Sequence, residues 1–193
     1  RLGGPNLVIR IAALLHDIGK PKTRAFIEGG GVSFHHHEVV GARLAKKRLQ
    51  ALRFDNDTIE GVELLTMLHL RFHGYGEGEW TDSAVRRYVR DAGDFITHLH
   101  VLTRADCTTR NKTKAARLSA TYDSLEARIA VLMEQEELSK IRPDLDGEQV
   151  MQILKLKPSR EVGQVMDFLM ELRLEQGPIG EEAATKALLE WWA

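Results

Sequence analysis

The chain has 193 residues and 43% hydrophobic content, with 27 basic against 28 acidic residues and a net charge of −1. This suits one soluble globular domain, or one domain with a helical extension; the overall charge points to neither nucleic acid nor membrane, so any RNA surface must come from local clusters of Lys and Arg. The single cysteine, Cys107, excludes an internal disulfide and fits a reducing cytoplasm, no apolar run is long enough for a bilayer, and the first residue, Arg1, suggests a piece of a longer protein.

Leu7 to Ile18 is apolar over most of its surface once Arg10 faces out, as a buried helix is, and Gly19 and Pro21 stop it. Thr23 to Phe34 has short alternating flanks around Glu28-Gly29-Gly30-Gly31, which predicts a small hairpin or loop. Helical periodicity returns at Glu38, with Val39, Ala42, Leu44, Ala45 and Leu49 on one face. Asp55 or Asp57 caps the next helix, through Val62, Leu65 and Leu68. Gly74 to Gly78 reads as a loop, and Thr81-Asp82 caps a helix containing Val85, Tyr88 and Val89. Asp94 starts another through Leu99, Leu102 and Ala105. Lys112 to Ser139 is long and helix-favouring, with Leu118, Tyr122, Leu125, Ile129 and Leu132 as its stripe. After a boundary near Ile141-Arg142-Pro143 come helices over Gly147 to Leu154, Glu161 to Glu175 and Gly180 to Trp192. The expected class is all-α, a helical bundle over 1–140 followed by a helical extension over 141–193.

His16-Asp17 ends an apolar helix. Adjacent helical residues point about 100° apart, so both reach one ion only at the helix end. An imidazole beside a carboxylate suits a borderline divalent ion. The triplet His35-His36-His37, then His69, His73 and Asp106, are further candidates. A carboxylate on an otherwise apolar face needs a partner, which a metal supplies. Taken singly these residues have plainer readings: a surface His-Asp hydrogen bond, a solvated His triplet, a capping Asp106, and structural or exposed His73, His98 and His100.

The order His-Asp, His, His, Asp resembles the HD superfamily of metal-dependent phosphohydrolases, and LLHDIGKP (Leu14 to Pro21) looks like its most recognisable segment. The resemblance implies a first site of His16, Asp17 and Asp106, and a second of His37 and His69 with Asp17 as the bridge. The ion would be Mg, Mn, Ni, Fe or Zn. The family's earlier helix-borne His has no counterpart before His16. Such a site permits metal-assisted phosphoester hydrolysis, with Asp17 at its centre and Lys20 contacting a phosphate; the plainer reading of Lys20 is an exposed helix-end cation.

Further segments narrow the resemblance. HDIGKPKTR, SFHHHEVVGA, AVRRYVRDAG and LTRADCTTRN, in that order, resemble bacterial CCA-adding tRNA nucleotidyltransferases of the poly(A)-polymerase type, in particular the actinobacterial branch. The tail LDGEQVMQILKLKPSREVGQVMDFLMELRLEQG is similar to that family's carboxy-terminal helices. His36 stands where the family usually has Gly, which favours His37 as ligand, and Ser159 replaces another Gly. The Gly-Ser-x-Ala-Arg loop and Asp-x-Asp arrangement of the family's amino-terminal head is not found, so this chain is not expected to add CTP or ATP by itself.

The resemblance implies tRNA as partner, together with an amino-terminal nucleotidyltransferase head in the full-length protein. Phosphates would be met by Arg86, Arg87, Arg90, Arg104, Arg110, Lys112, Lys114, Lys155 and Lys157; scattered cations that merely solvate helix faces are the plainer reading. Trp191-Trp192 is expected to pack against the tail helices more than to stack on a base. The expected function is the HD and tRNA-binding region of a CCA-adding enzyme, cytoplasmic, with a metal-dependent phosphohydrolase site. The alternatives are a stand-alone HD nucleotide phosphohydrolase and an inert RNA-binding scaffold.

Overall fold

The structure is a computed structural model, and it describes residues 6–76, 80–106, 109–136 and 141–193. Cys107, the end of the Gly74 to Gly78 loop and Ser139 lie outside the described residues. The described chain is all-α apart from one small hairpin. Among the described residues, no helix is long and apolar enough to cross a membrane.

Two compact units emerge, Arg1–Glu79 with Asp91–Glu126, and Trp80–Arg90 with Ala127–Ala193. In the first unit, α1 (Leu7–Leu15) is capped by Asn6, whose side chain accepts from the Ile9 amide. The apolar composition predicted a buried helix, but Ala12 is its only buried residue and Leu14 is 79% exposed. Composition reports what a helix can bury, not how many of its faces have neighbours. The turn after α1 leads into α2 (Lys20–Thr23), which has Pro21 in its first turn, where no amide hydrogen is needed. The predicted hairpin follows, β1 (Ala25–Phe26) antiparallel to β2 (Val32–Ser33), with Phe26 opposite Val32.

The helix α3 (His37–Ala51) buries Ala42, Ala45 and Leu49, while Val39 and Leu44 are only partly covered. It packs on α4 (Asn56–Leu68), with α1 against the same helix. Asp55 is the cap of α4, bonding the Thr58 amide at 2.8 Å. A 3-10 stretch (Arg71–Gly76) takes the place of the start of the predicted loop and buries Phe72, which stacks on Tyr122. The helix α6 (Ile96–Asp106) buries Leu99, Leu102 and Thr103, whereas Ala105 is exposed and not in the core as the periodicity predicted.

The helix α5 (Asp82–Ala92), which lies in the second unit up to Arg90, buries Val85, Tyr88 and Val89. The long α7 (Lys112–Glu136) contributes Tyr122 and Leu125 to the first unit and Ile129 and Leu132 to the second; Leu118 is partly covered. The last three helices are α8 (Gly147–Leu154), α9 (Arg160–Gln176) and α10 (Glu181–Trp192). They close around Leu145, Val150, Val165, Leu169, Ala184 and Leu188. Asp146 and Gln149 form a reciprocal capping box on α8. Trp191 packs on Phe168 at 4.7 Å, in line with the packing reading.

Candidate metal centre

All five predicted ligands lie in the first unit, four at helix ends and Asp17 in the turn that follows α1. His16 is the C-cap of α1, His37 opens α3, His69 is the C-cap of α4 and Asp106 ends α6. Helix ends suit this task, because a side chain there is not confined to one stripe of the helix surface. They also leave carbonyls without intrahelical partners. Those carbonyls fix the imidazoles. His16 Nδ1 bonds the Ala13 carbonyl at 2.9 Å, His37 Nδ1 the Phe34 carbonyl at 2.8 Å, and His69 Nδ1 the Thr66 carbonyl at 2.6 Å. A carbonyl only accepts, so each Nδ1 carries the proton. In the neutral ring Nε2 is then a lone pair.

The three Nε2 atoms surround Asp17. His37 Nε2 is 3.3 Å from Asp17 Oδ1, and His16 Nε2 is 3.5 Å from Asp17 Oδ2. His69 lies between the other two imidazoles, with ring centroids 5.2 Å from His16 and 5.3 Å from His37. One ligand atom each from Asp17, His37 and His69 lies within 4.8 Å of the others. Asp106 joins through His16, Oδ1 to Nε2 at 3.1 Å. Asp17 thus turns one oxygen to His37 and the other to His16, the position of a bridge.

His37 Nε2 and His69 Nε2 are buried and make no hydrogen bond. Buried polar atoms normally have partners. Two lone pairs beside a carboxylate repel one another unless a cation sits among them. The donor set therefore fits a divalent ion, with neutral imidazole and carboxylate suiting a borderline metal. Electrostatics agree. Burial works against ionisation of the Asp17 carboxyl, but the Lys20 hydrogen bond outweighs it, helped by the Lys20 charge and by the charges His16 and His37 carry when protonated, and the group is held below its ordinary range. Burial pushes the His69 imidazole down from its ordinary value, against the pull of the Thr66 carbonyl, and keeps it neutral. Lys20 Nζ sits 2.6 Å from Asp17 Oδ2, so it is an ion-pair partner in the centre and not only an exposed helix-end cation.

Two glycines bring the elements together. A Cβ on Gly19 would fall onto the His37 carbonyl and 2.7 Å from the Gly41 amide nitrogen, so the turn carrying Asp17 touches the start of α3 backbone to backbone. His36 has φ 59, the left-handed conformation that favours glycine. It is the position at which the resemblance leads one to expect Gly, and it is exposed, as is His35, while His37 is buried. Ser159 is extended, with φ −158, and needs no glycine. His73 is exposed, while His98 and His100 are partly buried on α6; His98 Nε2 meets Asn6 Nδ2 at 3.0 Å.

The nine cations divide sharply. Arg86 is buried, forms a two-pronged pair with Glu136 at 2.8 Å, and donates to the Leu174 carbonyl at 3.0 Å. Its guanidinium holds the second unit together and does not face an RNA. Arg87 pairs with Glu171 and Glu175, Arg90 lies 3.5 Å from Glu171, and Arg104 pairs with Asp123 and Glu126 over the Tyr122 ring. Arg110, Lys112, Lys114, Lys155 and Lys157 are exposed or nearly so, with no ion pair among the described residues. Reasoning from sequence missed Thr66, Ala13 and Phe34, whose carbonyls orient the ligands. Their shared signal is position, three residues before each His.

The HD domain family model matches residues 1–133. The chain belongs to the HD-domain family. Within it, the similarity runs to the HD-containing part of CCA-adding tRNA nucleotidyltransferases. The CC-adding tRNA nucleotidyltransferase of Thermus thermophilus is 34% identical over 96% of this chain and 40% of its own length. The A-adding tRNA nucleotidyltransferase of Deinococcus radiodurans is 31% identical over 97% of this chain and 42% of its own. The Multifunctional CCA protein of Neisseria meningitidis is 39% identical over 38% of this chain and 17% of its own. The chain thus spans about two fifths of the length of the first two relatives.

Proposed function

We propose that this chain is the HD and tRNA-binding region of a cytoplasmic CCA-adding tRNA nucleotidyltransferase, and that its metal centre is a phosphohydrolase acting on phosphate ends of RNA. The single observation that carries the second half is the buried pair of nitrogens without a hydrogen bond, His37 Nε2 and His69 Nε2, gathered beside the Asp17 carboxylate. Asp17, His37 and His69 would hold the ion, with His16 and Asp106 completing a second position around the Asp17 bridge. A bound divalent ion would supply Lewis acidity and lower the pKa of water so that hydroxide is available as a nucleophile toward phosphorus. The chain's own residues do the rest. Backbone carbonyls keep the imidazoles in the ligating tautomer, Asp17 stays ionised, and Lys20 offers an ammonium to a phosphoryl oxygen.

The first half rests on similarity along nearly the whole chain to two tRNA nucleotidyltransferases. In this reading residues 1–140 carry the HD centre, residues 141–193 support tRNA, and a head outside this chain adds nucleotides. Exposed Arg110, Lys112, Lys155 and Lys157 meet tRNA phosphates, which position without reading sequence. Arg87, Arg90 and Arg104 contribute only by exchanging a carboxylate for a phosphate.

The test is turnover of bis-p-nitrophenyl phosphate by the chain in Mn or Ni, with Asp17→Ala as control. Turnover that Asp17→Ala abolishes supports the hydrolase. Turnover that survives it removes the centre from the reaction. Absence of turnover with tRNA still bound leaves an RNA-binding scaffold.

A further inference from the structure

The stretch from Ile18 to His37 carries Lys20, Lys22 and Arg24 against one acidic residue, Glu28. It links two ligands of the metal centre, Asp17 and His37. Both of its ends are tied there. Lys20 Nζ bonds Asp17 and lies 5.8 Å from the Phe34 ring centroid, and the Phe34 carbonyl accepts from His37. Between these ends projects the β1–β2 hairpin.

The hairpin's surface is unusual for a solvated turn. Phe26 is 79% exposed, and Ile27 and Val32 are exposed beside it. Phe26 and Val32 are directly opposite each other, so they share a face of the two-stranded ribbon. The Arg24 guanidinium lies over the Phe26 ring, 4.9 Å from its centroid. Neither Lys22 nor Arg24 has an acidic partner among the described residues. An exposed ring, a guanidinium upon it and an adjacent ammonium without a counter-ion form the combination that binds single-stranded nucleic acid. Bases stack on aromatic faces or on arginine planes, and phosphates meet the cations. An apolar protein partner would account for Phe26 and Val32, but it would bury Lys22 and Arg24 without charge compensation.

Distance fits as well. Val32 pairs with Phe26 and lies two residues before Phe34, so Phe26 stands about 7 Å along the ribbon from the residue that anchors His37. That is about two nucleotides of a stacked strand, at ~3.4 Å each.

We propose that the Arg24–Phe26 pair is a stacking platform for a base near the end of a single-stranded RNA, with Lys22 on its phosphate, directing the strand's terminal phosphate toward Asp17, His37 and His69. The idea rests on the phosphohydrolase reading for what happens at the centre, but binding at the hairpin is measurable without turnover.

The test uses the full chain, a short fluorescein-labelled single-stranded oligoribonucleotide, and the same oligonucleotide with abasic positions near its 3′ end, titrated by anisotropy in EDTA. The parent chain should prefer the base-bearing strand by about fivefold or more, the worth of one stacked base. Phe26→Ala should erase that preference, Phe26→Trp should restore it with quenching of the new indole, and Arg24→Ala should weaken both strands. Equal affinity of the parent chain for the two strands overturns the platform, even if the parent hydrolyses bis-p-nitrophenyl phosphate. A base preference untouched by Phe26→Ala overturns it too. So does a Phe26→Ala change that abolishes self-association in sedimentation while RNA binding stays constant, since the patch would then be a protein contact. Base preference without any turnover in Mn or Ni upholds the platform and removes only the hydrolase.

Discussion

The two units bury polar groups in opposite ways. In the second, the Arg86 guanidinium meets both oxygens of Glu136 and the Leu174 carbonyl, so a buried charge has its counter-charge and its hydrogen bonds. Beside it, Arg173 donates to the Glu136 carbonyl and sits 3.7 Å from Asp144; two of its nitrogens lack hydrogen bonds, yet the group faces a carboxylate. In the first unit, the imidazoles of His37 and His69 are satisfied on one side and aim unpartnered lone pairs at a carboxylate on the other. Closed networks of the first kind hold a structure together. Open ones lower stability for the sake of something the chain must bind.

The contrast breaks most visibly at Arg86. Arg86→Leu leaves the half-buried Glu136 without its cation and the Leu174 carbonyl without its donor, and a loss of about 3 kcal/mol in urea unfolding is expected. A loss below about 1 kcal/mol would mean that the pair is no better than a surface ion pair. At His69 the same kind of change should act differently. His69→Leu removes an orphaned lone pair together with one hydrogen bond to Thr66, so metal-free stability should stay within about 1 kcal/mol of the parent. What it should lose is the stabilisation by Mn or Ni, about 2.7 kcal/mol at a metal concentration a hundred times Kd. Unchanged metal stabilisation in His69→Leu would show that the open network is not a metal centre.

How much of this was visible beforehand depends on what each feature rests on. Asp55 and Asp146 act as caps through their own chemistry and their immediate neighbours, and Asp55 was one of two caps expected from the sequence. His16, Asp17, His37, His69 and Asp106 were candidates through their resemblance to an ordered family motif, and the fold brings them close together in the first unit. Their orientation was not legible, since it depends on the carbonyls of Ala13, Phe34 and Thr66, and carbonyls leave no mark in a sequence. Arg86 failed as an RNA contact for a related reason. Its partner Glu136 is 50 residues away, and the clustered cations of α5 look alike until packing distinguishes them. The exposure of α1 was hidden because periodicity reports which faces are apolar, not what covers them.

A smaller effect separates geometry from ligands. Gly19 has no ligand atom of its own, but it lets the Asp17 turn touch α3. Gly19→Ala must push Asp17 away from His37, with a stability loss of about 1–3 kcal/mol from crowding and a weaker metal affinity by isothermal titration. Loss of stability with metal affinity intact would mean that Asp17 follows its imidazoles independently of this contact.

The smallest effect belongs to the second unit and tests whether its stability is local or shared. Asp146 accepts from the Gln149 amide at 2.8 Å, and Gln149 Oε1 accepts from the Asp146 amide in return, so Asp146→Ala frees the Gln149 amide hydrogen and leaves the return bond without its reciprocal partner. A loss of about 1 kcal/mol is expected, the usual worth of such a cap. Because α8 supplies Val150 to the cluster around Leu169 and Leu188, hydrogen exchange should rise across α8, α9 and α10 together. The metal-linked stabilisation of the first unit should not change, since none of its ligands depends on this cap. Faster exchange confined to α8 would show that the tail helices open one by one, so that the closed network around Arg86 does not bind the unit into one cooperative piece.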